Sequence, residues 1–423
     1  MIEKEVIFKL IADNEKILSK KIEKRQYLKE GIKFLGYKEI TVITGVRRSG
    51  KTYFVFELIQ HLVKNKVPLN NILYINFEDE RLSFIEPKDL EKIHEWFLEF
   101  NKPSGKIYFF LDEIQNVPKW QKWLSRSYEN IKFIISGSNA SLLSSELATA
   151  ITGRYLKIEI YPFSFKEFVE TKISYDKKTL YQTEKIALIK NYFKEYLKKG
   201  GFPEILLNNK KELLQQYYHD ILFKDIITRY NIKYKESLEK IGLYLVTNIS
   251  KTISLYELTR IMNSRGINTI KNYINYMKKA YLILTTNKFD YSLKKQIANP
   301  KKVYAIDTAL ARSVSFKFSE DFGRILENIA FIELKRRGKE VYYHKAKYEC
   351  DFVIKQGLKI TEAIQITKEL NNENKGRELK GLIGAMKIYN LKKGLILTEE
   401  EEGELTEKGK KIIIKPIWKW LLE

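Results

Sequence analysis

Residues 45 to 52, Gly45-Val46-Arg47-Arg48-Ser49-Gly50-Lys51-Thr52, read G-x-x-x-x-G-K-T without deviation, and each residue type suits the holding of a phosphate. Gly45 and Gly50 let the backbone bend so that successive N–H groups face one anion; Lys51 brings a point charge to the outer phosphates, and the Thr52 hydroxyl is a ligand for Mg²⁺. Tyr53 then opens a helix whose N-terminus points at the same anion. A second group follows about 60 residues later, where the run Lys106-Ile107-Tyr108-Phe109-Phe110-Leu111 ends on Asp112 and Glu113. One carboxylate there can hold Mg²⁺ through water, and the next can orient and deprotonate an attacking water, which separates binding a nucleoside triphosphate from hydrolysing it. Ser138 and Asn139 close a third apolar run; they suit sensing of a γ-phosphate or capping of the helix that follows. Arg154 precedes a last apolar run and has three readings: facing the nucleotide of its own chain, facing that of a neighbouring subunit, or an ordinary structural arginine.

The elements that must position these groups are legible around them. Ile40-Thr41-Val42-Ile43 reads as a buried strand, as do Asn71 to Phe77, Lys106 to Glu113, Ile131 to Asn139 and Tyr155 to Ile160. Apolar runs of this kind, separated by helical segments, predict an α/β fold with a parallel sheet whose strand ends carry the chemistry. Residues 1–38 read as lysine-rich helices, with Ile7, Leu10, Ile11 and Leu18 at helical spacing, packed on that domain.

Taken in order, the segments GVRRSGKT, YINFEDERL, LDEIQNVPKWQKWL, ISGSNASLLSSELAT and GRYLKIEIYPFSFKEF resemble the AAA-type ATPases found widely in archaea and bacteria as uncharacterised ATP-binding proteins. The resemblance covers residues 39 to about 170. It implies ATP and Mg²⁺ as ligands and a P-loop sheet with an extra strand between the strand before the loop and the strand carrying Asp112. Arg154 matches the arginine of that family's GR-Y motif. The segment from Gly200-Gly201-Phe202-Pro203-Glu204 through YYHDILFKDIITRY resembles the start of the same family's C-terminal half.

The net charge of +23 points to an acidic partner, although high lysine usage in some thermophiles and AT-rich genomes would produce part of it. Its distribution is more telling: residues 229–302 hold 15 Lys/Arg against 4 Asp/Glu, 15 − 4 = +11, where an even spread would put roughly +4. Within this segment three helices, Ser237 to Ile249, Ser254 to Met262 and Asn268 to Ala280, precede two strands, Leu282 to Thr286 and Lys302 to Ile306. That is the layout of a winged helix-turn-helix, with Thr269, Lys271, Asn272 and Lys278 on the helix that would enter the major groove of DNA. The hairpin from Lys294-Lys295 through Lys301-Lys302 is placed to touch phosphate. Tyr273, Ile274, Tyr276 and Met277 read as core, and a winged helix can also serve purely for packing.

The last stretch resembles the PD-(D/E)XK nuclease fold, in which a helical Glu, an Asp and an E-x-K pair on adjacent strands converge on Mg²⁺ and an attacking water. Glu327 and Asp351 match, but Gln365 stands where Glu belongs and Thr367 where Lys belongs. Glu362 alternates onto the other face of its strand. An amide binds Mg²⁺ less well than a carboxylate and threonine carries no charge, so the nuclease is expected to be inactive, although Lys368 could reach in from the next position, which leaves activity open. Ordinary helix-start and strand-end acids are the plain alternative for Glu327 and Asp351.

The chain has 423 residues, too long for one ordinary domain. The expected division is 1–38 a helical segment, 39–170 the ATPase, 171–228 a helical connector, 229–310 the winged helix and 311–423 the nuclease-like domain. Hydrophobic content of 44% and charged content of 30%, without an apolar run of membrane-spanning length, exclude a membrane protein; the acidic residues near the N-terminus do not suit a secretory signal, so a cytoplasmic location is expected. A single cysteine, Cys350, excludes an internal disulfide. The reading is an Mg²⁺-dependent ATPase coupled to DNA, open to homo-oligomerisation through Arg154. The alternatives are a slow nucleotide-gated switch that does not act on DNA, and an active metal-dependent nuclease.

Overall fold

Five apolar runs form one parallel sheet: β1 (Ile40–Thr44), β2 (Ile72–Asn76), β3 (Ile107–Asp112), β4 (Ile131–Gly137) and β5 (Tyr155–Glu159), in the order β2-β3-β4-β1-β5. The computed structural model describes all residues except 1, 128–129, 144–152, 177, 262–265 and 316–321, and the chain divides into two compact units, Met1–Tyr161 and Pro162–Glu423. The end of ISGSNASLLSSELAT and Met262, the expected last residue of the second basic-segment helix, lie outside the described residues.

In the first unit the strands are apolar on both faces because both faces are covered. Val42, Leu73, Ile75, Phe109, Leu111, Phe133 and Ile135 point into one core. Ile43, Ile72, Tyr108, Phe110, Ile134 and Ile158 point into the other. The N-terminal segment serves both: Ile7, Leu10 and Ile11 of the helix Lys4–Asp13 join the first core, whereas Ile17, Tyr27, Phe34 and Leu35 join the second. As the resemblance implied, a strand intervenes between β1 and β3; β4 pairs with both, with Thr41 opposite Ile134 and Leu111 opposite Ile135. This register brings the C-terminal ends of β1, β3 and β4 level with one another, so that side chains just beyond them share one edge of the sheet.

The second unit begins with helices Phe165–Lys172, Thr183–Lys199, Pro203–Asn208 and Leu213–Asp220, the last running on into a π-helical stretch, Ile221–Thr228. The turn at Gly200-Gly201 is fixed from afar. Asp307 accepts hydrogen bonds from the N–H of Gly201 at 2.6 Å and of Leu310 at 2.8 Å. A Cβ on Gly200, whose φ is +76°, would lie 2.3 Å from that carboxylate. Helices Lys235–Thr247, Leu255–Ile261 and Ile267–Lys279 follow, with β6 (Thr252–Ile253) between the first two. The strands β7 (Ile283–Asn287) and β8 (Lys301–Ala305) complete an antiparallel sheet in the order β6-β8-β7. The hairpin connection carries a short helix, Leu293–Ala298, that its lysine-rich sequence did not announce.

A six-stranded mixed sheet ends the chain, in the order β13-β14-β12-β11-β10-β9. Its strands are β9 (Glu340–Lys345), β10 (Glu349–Gln356), β11 (Lys359–Ile366), β12 (Lys393–Thr398), β13 (Gly403–Glu407) and β14 (Lys410–Pro416). The helix Lys375–Ile388 packs Leu379, Leu382 and Met386 against Cys350, Val353, Ala363 and Ile396 of the sheet. Among the described residues no helix is long and apolar enough to cross a membrane.

Candidate nucleotide site and an acidic pocket

Gly45 needs to be glycine for a steric reason: its φ is +153°, and a Cβ there would lie 2.1 Å from the carbonyl oxygen of Ile160. The loop turns through left-handed backbone at Arg48 (φ +68°) and Gly50 (φ +95°), and the helix Lys51–Lys64 starts directly after it. Lys51 is buried, its Nζ donating to the carbonyls of Gly45 and Val46 at 3.2 Å each and lying 3.8 Å from Glu113 Oε1. Arg47 pairs with Glu78, which follows β2, at 2.9 Å. Ser49 Oγ is buried with no partner among the described residues. Tyr53 is exposed on the helix.

Three hydroxyls converge on Asp112. Thr52 Oγ1 donates to Asp112 Oδ2 at 2.6 Å, Tyr74 OH reaches the same oxygen at 3.3 Å, and Ser136 Oγ donates to Asp112 Oδ1. Burial and the neighbouring Glu113 push the Asp112 carboxyl above its ordinary range, and the hydroxyls and Lys51 pull against that. Burial beside Asp112 likewise raises the Tyr74 phenol, so it remains a donor. An all-oxygen set of one carboxylate and one hydroxyl, with a lysine alongside, fits Mg²⁺ and phosphate; Asp112 and Thr52 would hold the ion.

Glu113 sits in left-handed backbone (φ +52°) at the end of β3. Its Oε2 accepts from the Ser138 N–H at 3.2 Å and from Gln115 Nε2. Ser138 and Asn139 are buried beside it, at the end of β4. The structure therefore brings Lys51, Thr52, Asp112, Glu113, Ser138 and Asn139 to one sheet edge. It does not bring Arg154 there. Arg154 is exposed and precedes β5, its carbonyl accepting from the N–H of Ile40 at 2.9 Å, at the start of β1. The loop leaves the other end of β1, about 15 Å away at 3.3 Å per residue, so of the three readings of Arg154 this placement does not favour the one in which it faces its own chain's nucleotide.

Four contributors escaped the sequence. Ser136 could have been found from strand order, since pairing β3 with β4 sets it beside Asp112. Tyr74 and Gln115 carried no signal. Neither did Arg25, a buried residue of the irregular N-terminal segment. Its guanidinium donates to the carbonyls of Ser49 at 2.8 Å and Tyr161 at 2.7 Å, and its own N–H faces the Glu57 carboxylate at 3.3 and 3.4 Å.

In the second unit Glu327, Glu349 and Asp351 meet at a cavity of about 530 Å³, with Gln365, Thr367 and Lys368 in its lining. Lys302 supplies the cation. Expected to touch phosphate from the hairpin, it is instead buried on β8, with Nζ 3.0 Å from Glu327, 2.6 Å from Glu349 and 3.4 Å from Asp351. Glu327 also accepts from Tyr304 OH at 2.8 Å. Burial pushes Glu327 up to about 8 and Asp351 up to about 6, each opposed by Lys302. Burial also works on Glu349, but Lys302 holds it below its ordinary range. Gln365 is engaged on both sides, donating to Glu378 at 2.6 Å and accepting from the Asp351 N–H at 3.3 Å. Thr367 donates to the Glu369 carbonyl. Glu362 lies off this face, paired with Lys339 at 2.8 Å.

On the helix Ile267–Lys279, Lys271, Asn272 and Lys278 are exposed and Thr269 half-buried; Lys294 and Lys295 are exposed on the hairpin helix. Tyr273, Ile274 and Met277 are core residues, and Tyr276 stacks on Tyr230 at 3.9 Å between ring centres.

The family model described as an AAA domain matches residues 37–169. An uncharacterised protein of Methanocaldococcus jannaschii is 38% identical over 449 residues, covering 100% of this chain and 96% of the relative. The chain belongs to this AAA-domain family. A second relative, an uncharacterised protein of Haemophilus influenzae, is 33% identical over 351 residues, 80% of this chain and 85% of the relative. Residues 190–321 match a model described as a domain of unknown function. Among solved structures, the Cdc6p protein of Pyrobaculum aerophilum is similar over 71% of this chain and 97% of its own at 13% identity and a TM-score of 0.27. AMPPCP-bound DnaA from Aquifex aeolicus is similar over 60% and 86% at 17% identity and a TM-score of 0.24.

Proposed function

We propose that the first unit binds ATP with Mg²⁺ and hydrolyses it, and that the second unit couples this turnover to DNA. The observation that carries the ATPase reading is the 2.6 Å hydrogen bond between Thr52 and Asp112, with Lys51 and Glu113 at the same sheet edge. Thr52 and Asp112 hold the metal, which when bound offsets phosphate charge. Lys51 binds the outer phosphates, the loop N–H groups cradle them, and Glu113 orients the attacking water and takes its proton.

The DNA part rests on the second unit. A strand between the first two of three helices, a sheet ordered β6-β8-β7 and exposed Lys271, Asn272, Lys278, Lys294 and Lys295 support a winged helix-turn-helix with a basic reading helix and hairpin. Glu327, Asp351 and the last sheet support a PD-(D/E)XK-like domain that lacks the E-x-K pair and does not cleave DNA. The test is ATP turnover with and without duplex and single-stranded DNA, with cleavage scored in the same tubes. Turnover stimulated by DNA, with affinity falling steeply as salt rises, supports the coupling. DNA cleavage lost in Asp351→Ala would overturn the inactive assignment.

One observation favours a second reading, the slow nucleotide-gated switch. Glu113 is held by Gln115 and the Ser138 N–H, so hydrolysis waits on its release. Slow turnover that DNA leaves unchanged would select that reading over a DNA-coupled motor or loader.

A further inference from the structure

The acidic pocket of the second unit holds a feature that neither the ATPase nor the DNA reading uses. Lys302 is a side chain of β8, the strand shared by β6 and β7, yet its ammonium lies within 3.4 Å of carboxylates from the helix Phe322–Arg336 and from β10. The strand is anchored there by more than this charge. Tyr304, two residues on and therefore on the same face, donates to Glu327 and stacks on Phe331 at 3.8 Å between ring centres. Asn328 bonds both the N–H and the carbonyl of Ala305, at 2.8 and 2.9 Å. Lys302 is thus delivered by a strand that cannot slide.

Three carboxylates gathered around one point make a position for a cation, and buried carboxylates need one. Hard divalent ions take such oxygen sets at about 2.0–2.6 Å, but here the centre of the set is already taken by an ammonium, whose contacts of 2.6, 3.0 and 3.4 Å are those of charged hydrogen bonds. Among the described residues no group of three or more His, Cys, Asp or Glu side chains is disposed to hold a metal ion. The other residues that could complete a metal's shell face elsewhere, Gln365 toward Glu378 and the Asp351 N–H, and Thr367 toward the Glu369 carbonyl.

We propose that Lys302 is the built-in cation of this pocket: its ammonium holds the position that Glu327, Glu349 and Asp351 would otherwise give to a divalent metal, so the pocket is closed to metal in the native chain. Hairpin and pocket are then one device, with β8 carrying the plug. The inference rests on the pocket's geometry and stands or falls independently of the P-loop reading.

The test titrates Mn²⁺ into nucleotide-free, full-length protein, with bound Mn²⁺ followed by electron paramagnetic resonance and the Tm measured in parallel. The wild type is expected to take up no Mn²⁺ that Asp351→Asn removes, and the change in its Tm between chelator and Mn²⁺ to be the same as that of Asp351→Asn. Lys302→Met, which keeps most of the stem and deletes the charge, is expected to gain one Mn²⁺ per chain, and Lys302→Met with Asp351→Asn to lose it again. Wild-type Mn²⁺ binding abolished by Asp351→Asn overturns the proposal, as does a folded Lys302→Met that gains no site. Should Lys302→Met fail to fold, the wild-type and Asp351→Asn titrations decide the matter alone.

Discussion

Replacing Arg25 with alanine tests whether the irregular N-terminal segment shapes the phosphate loop or merely covers the sheet. The guanidinium is buried and donates to two carbonyls, one inside the loop at Ser49 and one just past β5 at Tyr161. Alanine leaves both oxygens without that donor, at about 1–3 kcal/mol for each buried group left unsatisfied, so a loss of about 4 kcal/mol is expected. For a unit of this size each kcal/mol moves the Tm by roughly 2–4 °C, which puts the drop at about 8–16 °C by calorimetry, less where water enters the vacated space. The functional consequence is separate. Ser49 belongs to the loop whose N–H groups face the anion, so freeing its carbonyl should raise the KM for ATP more than it lowers kcat. The ammonium introduced by Arg25→Lys can satisfy one carbonyl at a time and should recover part of each effect. An Arg25→Ala enzyme with lowered Tm but an unchanged KM would show a purely structural residue and refute the loop-shaping role; unchanged Tm and KM together would refute the contact.

Three further outcomes are expected. Lys51→Ala should abolish nucleotide binding, and Glu113→Gln should bind ATP but stall, measured by equilibrium binding and single-turnover hydrolysis; wild-type turnover in Glu113→Gln removes Glu113 from the proposed mechanism. Lys271→Ala and Lys278→Ala should weaken DNA binding and reduce its salt slope by about one each, while variants with an unaltered slope would place DNA elsewhere. Burial, opposed by Lys302, pushes Glu327 up to about 8 against an ordinary value of 4.5, so below that pH the folded state keeps a proton that the unfolded chain has released, and the pocket carries its full negative charge only above it. Stability from this group is therefore full below about pH 4.5 and declines until about pH 8, and Glu327→Gln should flatten the fall of Tm across that window. An equal slope in the variant would mean that Glu327 is ionised throughout.

The residues bearing chemistry in the first unit were legible because a phosphate loop and a strand-end acid pair are local patterns; the strands themselves were legible as apolar runs, whereas the strand between β1 and β3 was implied only by the family resemblance. What was illegible is what tertiary contact decides. Tyr74 and Gln115 matter only because the folded sheet turns them toward Asp112 and Glu113, and Arg25 has no neighbours in sequence that mark it. Lys302 is the instructive case. In Lys301-Lys302-Val303-Tyr304 the pair reads as a basic hairpin, yet strict alternation places Lys302 on the same face as Tyr304, a buried aromatic, and Lys301 on the other. Applying the period of two to the lysines as well as to the apolar residues would have turned Lys302 inward. Arg154 shows the converse: a motif match named the residue, but only the strand direction showed that it stands at the far end of the sheet.

The hold that Asp307 has on Gly201 gives the chain a timetable. The two residues are 106 positions apart, and translation at about 5–20 residues per second separates them by roughly 5 to 20 s. Through that interval the nascent helix Pro203–Asn208 has emerged without the carboxylate that fixes the turn before it. A ribosome stalled short of position 307 therefore carries a chain in which this corner is unlatched, and a pause placed there lengthens the time for which a chaperone or a protease can reach it.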